Sequence, residues 1–221
     1  MKSVLLAASA VTFALAAAPA HAAIVSFDDF SVSQGPITDT SVNGVRAQTA
    51  FLDIVAGPDL FRRRLTADLL ARIPPGGSTT RVASGVLDIV HGAGEKGENR
   101  VIYRDGAYIN GLLAPLAPIS NLAFFLKIVQ SDANPATLDI LLDGVNIGSR
   151  VIPANSFNLN FLVPISPSTD FSVGLLEFVF NGEPGYDLSF DTFGFLVNVP
   201  APAGVALFGL GLLALGLRRR S

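Results

Sequence analysis

Gly92-Ala93-Gly94-Glu95-Lys96-Gly97 spells G-x-G-x-x-G directly behind the apolar run VLDIV. In a dinucleotide-binding unit such glycines let the backbone approach a pyrophosphate at a helix N-terminus. Here Glu98-Asn99-Arg100 leads into RVIYR, a second strand-like run, so the glycines read as a hairpin loop. His91, expected exposed in that glycine turn, is the only histidine after residue 22, and the sequence holds neither HExxH nor GxSxG. Zinc-hydrolase and serine-hydrolase chemistry therefore lack their usual parts. Asp28 and Asp29 are adjacent. On a strand they point to opposite faces, so they do not form an acid–base pair on one bond. Arg62-Arg63-Arg64 is the one dense basic run inside the chain. If extended, Arg62 and Arg64 share a face on which a carboxylate or an acidic sugar could pair, although a solvated face is the simpler expectation. There is no cysteine, hence no thiol nucleophile, no thiolate metal site and no disulfide. The expectation is a protein without catalytic residues, not an enzyme.

The elements that would carry these residues alternate in strand fashion. AIVSFDDF (23–30), VASGVLDIV (82–90), RVIYR (100–104), LAFFLKIV (122–129), TLDILL (137–142) and VNIGS (145–149) are bounded by turn residues, and strand-like runs at 158–165, 171–180 and 187–197 follow. Asp143-Gly144 between two such runs predicts a tight hairpin, because both turn positions favour positive φ. Asp105-Gly106, Asn110-Gly111 and Asn181-Gly182 are expected as further turns. FRRRLTADLLARI (61–73) is ambiguous. Phe61, Leu65, Leu69 and Ile73 recur every four residues, as on a helix, while Leu65, Ala67 and Leu69 also fit one side of a strand. Fourteen of the sixteen phenylalanines lie between Phe27 and Phe195, enough to fill the space between two sheets. The fold class expected is all-β, a two-sheet jelly-roll-like β-sandwich of about ten strands. On it, Tyr103 and Tyr108 are candidates for an aromatic platform under a glycan ring.

Phe27-Asp28-Asp29-Phe30 and Asp187-Leu188-Ser189-Phe190-Asp191 resemble the first and last strands of galactose-binding-like jelly rolls, whose best-known members are carbohydrate-binding modules. That resemblance implies adjacent terminal strands and a structural calcium, for which Asp28, Asp29 and Asp191 are the candidate ligands. No other cofactor is expected.

Both ends read as addresses. Lys2, an apolar stretch over 4–18 and Ala20-His21-Ala22 form a secretory signal, with signal peptidase expected to cut before Ala23. At the other end 203–217 is apolar or glycine and is followed by Arg218, Arg219 and Arg220. As a helix it rises about 22 Å, short of the roughly 30 Å hydrocarbon core, so transient insertion in the inner membrane is expected. Val199-Pro200-Ala201-Pro202-Ala203, the short apolar segment and the arginines resemble the PEP-CTERM sorting signal, in a Val-Pro-x-Pro-Ala variant with Ala201 where the usual motif has Glu. The resemblance implies processing by an exosortase-like transpeptidase and release to the cell surface or matrix. Three segments follow: a signal over 1–22, a sandwich over 23–198 and a sorting tail over 199–221. The middle segment holds all eighteen acidic residues but only eleven of the fifteen basic ones, a net of −7. Such a balance argues against a nucleic-acid partner. The expected function is a non-enzymatic surface or biofilm-matrix protein associated with exopolysaccharide, with a carbohydrate-binding module as the alternative.

Overall fold

A computed structural model describes residues 21–55, 61–71, 76–104, 106–172 and 174–199. The expected signal segment up to residue 20 and the tail from residue 200 lie outside the described residues. Among these, fourteen strands alternate with one short helix: β1 (His21–Asp28), β2 (Gln34–Asp39), β3 (Ala47–Gln48), β4 (Leu52–Val55), β5 (Phe61–Ala71), β6 (Ser78–Ala83), β7 (Val86–His91), β8 (Lys96–Arg104), α1 (Ala107–Leu113), β9 (Asn121–Ser131), β10 (Ala136–Leu142), β11 (Val145–Ile152), β12 (Phe157–Ile165), β13 (Leu175–Gly182) and β14 (Leu188–Val199). They form two seven-stranded sheets with antiparallel pairing. The first runs β12-β9-β14-β7-β6-β2 and adds β1 on β14; the second runs β11-β10-β13-β8-β5-β3 and adds β4 on β5. This is the jelly-roll-like β-sandwich expected, with the terminal strands β1 and β14 paired.

Gly194 shows how close that pairing is. A Cβ there would stand 2.6 Å from the Val25 carbonyl oxygen, so only glycine lets β1 approach β14 at this point. The inner faces meet through aromatic rings. Phe178 of β13 touches the rings of Phe124 and Phe193 from the opposite sheet, with centroids at 5.2 and 4.8 Å. It also reaches Tyr103 at 5.9 Å and Phe27 at 6.2 Å. These offset and edge-on geometries are what the ring quadrupole favours.

Local chemistry explains where strands stop. Asp143 and Gly144 have φ of 51° and 78° and close the β10–β11 hairpin as expected. VASGVLDIV is not one strand: Ser84 and Gly85, at φ 53° and 79°, turn the chain between β6 and β7. Asn110-Gly111 is not a turn but lies within α1, and Asn181-Gly182 ends β13. The ambiguous 61–73 segment is strand over Phe61–Ala71, lying between β8 and the short β3 and β4. Its alternate residues Phe61, Arg63, Leu65, Ala67 and Leu69 are buried inward.

Candidate functional site

The inward register of β5 carries a guanidinium into the interior. Arg63 is fully buried, and its Nη1 donates to both carboxylate oxygens of Asp28 at 2.9 and 2.7 Å. Nε donates to Gln34 Oε1 at 3.0 Å, and Nη2 donates to the Val32 carbonyl. The Tyr103 hydroxyl of β8 donates to Asp28 Oδ2 at 2.7 Å, and the Phe30 amide donates to Oδ1 at 2.9 Å. Burial, and then the Asp28 charge, push the Tyr103 phenol well above its ordinary value, so it remains a donor. The network ties β1 of the first sheet to β5 and β8 of the second. A buried ion pair of this kind persists only because nearly every lone pair and N–H is engaged.

This geometry revises two expectations. Asp28 is not available to calcium, because the Arg63 guanidinium already takes the place of a cation beside it. Asp29 is exposed and accepts from the Ser31 amide at 3.0 Å. Asp191 lies between Phe190 and Thr192, where the β14–β9 register shifts. Among the described residues no three histidine, aspartate or glutamate side chains gather as a metal-ion cluster. Nor does Tyr103 form a glycan platform. It is 1% exposed, and its ring is stacked flat on Phe61, 5.1 Å centroid to centroid and 5° between planes.

Tyr108 is placed differently. It stands on α1, half-buried, tilted on Phe61 at 5.0 Å. It helps line an open pocket of about 330 Å³ together with Ser26, Asp28, Asp29, Ser31 and Val55. Hydrogen bonds from Ser31 hold the Asp29 carboxyl below its ordinary 3.8, so it is an ionised acceptor at neutral pH. An aromatic ring, a carboxylate and two hydroxyls around a space of this size match the hydroxyl-rich, flat-faced surface of a sugar. Asp28 and Asp29 both border the pocket, but Asp28 is locked to Arg63, so the pair has no free acid–base partner.

At another part of the sandwich a second polar cluster escaped sequence reasoning. His91 is buried at 4% exposure rather than exposed in its turn. Its Nδ1 lies 2.8 Å from the Tyr186 carbonyl, which only accepts, so Nδ1 carries the proton and Nε2 accepts from the Ser78 hydroxyl at 3.0 Å. A serine–histidine pair resembles a nucleophile and its base, yet Ser78 is fully buried and held as well by Asn99 at 2.9 Å. The pair has no route to a substrate and serves packing. Burial lowers the His91 pKa below its ordinary 6.5. The neutral form is thus part of the fold, and the unfolded chain binds the proton more readily. Stability is therefore full above about pH 6.5 and declines as pH falls through the interval below it. Asp187, whose pKa burial raises from 3.8, works in the opposite sense at more acidic pH. Urea unfolding at pH 7 and pH 5 should show a loss at pH 5 that shrinks in His91→Gln.

The tail adds what the sandwich lacks. Residues 198–220 match the family model described as the PEP-CTERM protein-sorting motif. The chain carries a PEP-CTERM sorting tail. That motif implies an exported protein sorted by an exosortase through the membrane to the cell surface. A comparison with curated proteins finds no match. Among solved structures, similar chains include one described as "CBM4 structure and function", at 12% identity and TM-score 0.36, covering 66% of this chain and 92% of that one. The family 11 carbohydrate-binding module of a cellulosomal cellulase of Clostridium thermocellum aligns at 12% identity and TM-score 0.32, covering 80% of this chain and 95% of that one. A family 29 carbohydrate-binding module mutant complexed with cellulohexaose aligns at 13% identity and TM-score 0.32, covering 70% and 93%.

Proposed function

We propose that this PEP-CTERM protein acts outside the cell as a non-enzymatic component of the surface or biofilm matrix and holds exopolysaccharide on its sandwich. Signal peptidase removes the leader over 1–22, and an exosortase-like transpeptidase processes the tail from Val199. The observation that carries the binding half is the Tyr108–Asp29 pocket: the half-buried Tyr108, the ionised Asp29 and the Ser26 and Ser31 side chains, on the rigid Asp28–Arg63 anchor. The non-enzymatic half is supported by the chemistry withheld. Asp28 is neutralised by Arg63, and the Ser78–His91 pair is sealed.

The test is to recover the protein from culture supernatant, measure its intact mass and titrate it with exopolysaccharide prepared from the same cells. A mass short of both ends supports the processing. Tyr108→Ala should weaken glycan binding about tenfold, the order expected from losing one stacked ring and its burial. Unchanged affinity in that variant would sink the pocket reading, and full-length protein retained in membranes would sink the release.

A further inference from the structure

Because β5 sends Arg63 inward, Arg62, Arg64, Thr66 and Asp68 fall on the outer face of the second sheet. On neighbouring β8, Glu98, Arg100, Ile102 and Arg104 occupy the same face, with Arg62 paired in register with Arg104. The face divides electrostatically. Towards one end its cations are matched: Arg46 bonds Asp68 at 3.1 Å and Glu98 at 2.7 Å, and Arg100 bonds Glu98 at 2.7 Å and Glu177 at 2.8 Å. Towards the other end Arg64 and Arg104 have no carboxylate partner among the described residues. Their guanidiniums instead stand 4.6 and 4.9 Å from the centroid of one ring, Phe51. Two like charges sharing one ring repel each other, and an anion bound beside either would relieve that. At this end Arg64 Nε is buried with no hydrogen-bond partner among the described residues. Beyond Arg104 a cleft of about 250 Å³ opens, lined among the described residues by Gly106, Ser172, Gly174 and Leu175; the carboxylates of Asp143 and Asp170 accept from the Leu175 and Ser172 amides at 2.9 and 2.8 Å, so the cleft itself does not favour an anion.

We propose that this outer face, centred on Arg64, Arg104 and Phe51, is a binding site for acidic polysaccharide, distinct from the Tyr108 pocket. A guanidinium of this pair receives the carboxylate of a uronic acid unit, and Phe51 offers an apolar contact beside it. Guanidinium and carboxylate match in a two-bond fork that a neutral sugar does not offer. Nucleic acid is the weaker occupant, since two guanidiniums around one ring make a short site and not a phosphate track.

The experiment titrates the exported protein with polygalacturonate, with dextran as the neutral chain and single-stranded DNA as the rival polyanion. Polygalacturonate should bind, more weakly as salt rises, and dextran should not bind at this face. Arg104→Gln and Arg64→Gln should each weaken polygalacturonate about tenfold, the loss of one charge-assisted contact. Arg81→Gln, on the opposite sheet, should leave it unchanged. Arg104 is exposed, so its variant folds and keeps the test valid if Arg64→Gln does not. No polygalacturonate binding, equal binding of DNA, or an indifferent Arg104→Gln would overturn the proposal. These outcomes are separate from the Tyr108→Ala result with native exopolysaccharide, so either reading can fail alone.

Discussion

Arg63→Ala should lower the unfolding free energy of the sandwich by about 3–5 kcal/mol, the usual cost of removing one partner from a buried ion pair. The size follows from what is left behind. Asp28, with its side chain 3% exposed, loses its countercharge, and Gln34 Oε1 and the Val32 carbonyl lose a donor. Tyr103 still donates to Asp28, but one phenol does not replace a guanidinium. Arg63→Lys should fall between, because an ammonium keeps the charge yet cannot reach Asp28, Gln34 and Val32 with one planar fork. Urea unfolding of the three proteins at pH 7 checks this. A loss under about 1 kcal/mol in Arg63→Ala would mean that Asp28 finds water or another donor, and the anchor argument for the pocket would fall.

Phe178→Ala should cost about 3–5 kcal/mol by a different route, through cavity and lost contact rather than charge. Phe178 is fully buried, and its ring meets Phe27, Tyr103, Phe124 and Phe193, which come from both sheets. Backbone pairing holds these neighbours on two separate sheets, so they have little freedom to collapse into the space. Phe178→Leu should recover roughly half the loss by refilling part of the volume. By contrast Phe157, 77% exposed at the start of β12, should tolerate alanine with almost no change. The same unfolding measurement on the three variants checks the ordering.

Much of the fold was legible because strand signals are local. The Asp143-Gly144 hairpin, the runs that became β9 and β10, and the abundance of phenylalanine all report chemistry acting over a few residues. Ser84-Gly85 was missed for the same reason in reverse: serine takes positive φ less readily than asparagine or aspartate, so the turn was hidden inside an apolar run. The 61–73 segment stayed open because Phe61, Leu65 and Leu69 satisfy a period of four and a period of two alike. Only pairing with β8 on one side and with β3 and β4 on the other decides for strand.

By itself, the sequence determined an exported all-β chain: a sorting motif of proline, apolar stretch and arginines, an acidic middle without cysteine, and turn-punctuated strands. Those properties depend on composition and near neighbours, which folding does not alter. The tertiary structure alone decided which of the marked residues are available for chemistry. Asp28, Arg63 and Tyr103 looked like a metal ligand, a surface charge and a sugar platform, and packing made them one buried network. Tyr108 and Asp29 stayed at the surface and came together across the fold. Burial and partnership depend on residues far apart in the chain, as Asp28 and Tyr103 are, and no local pattern encodes their meeting.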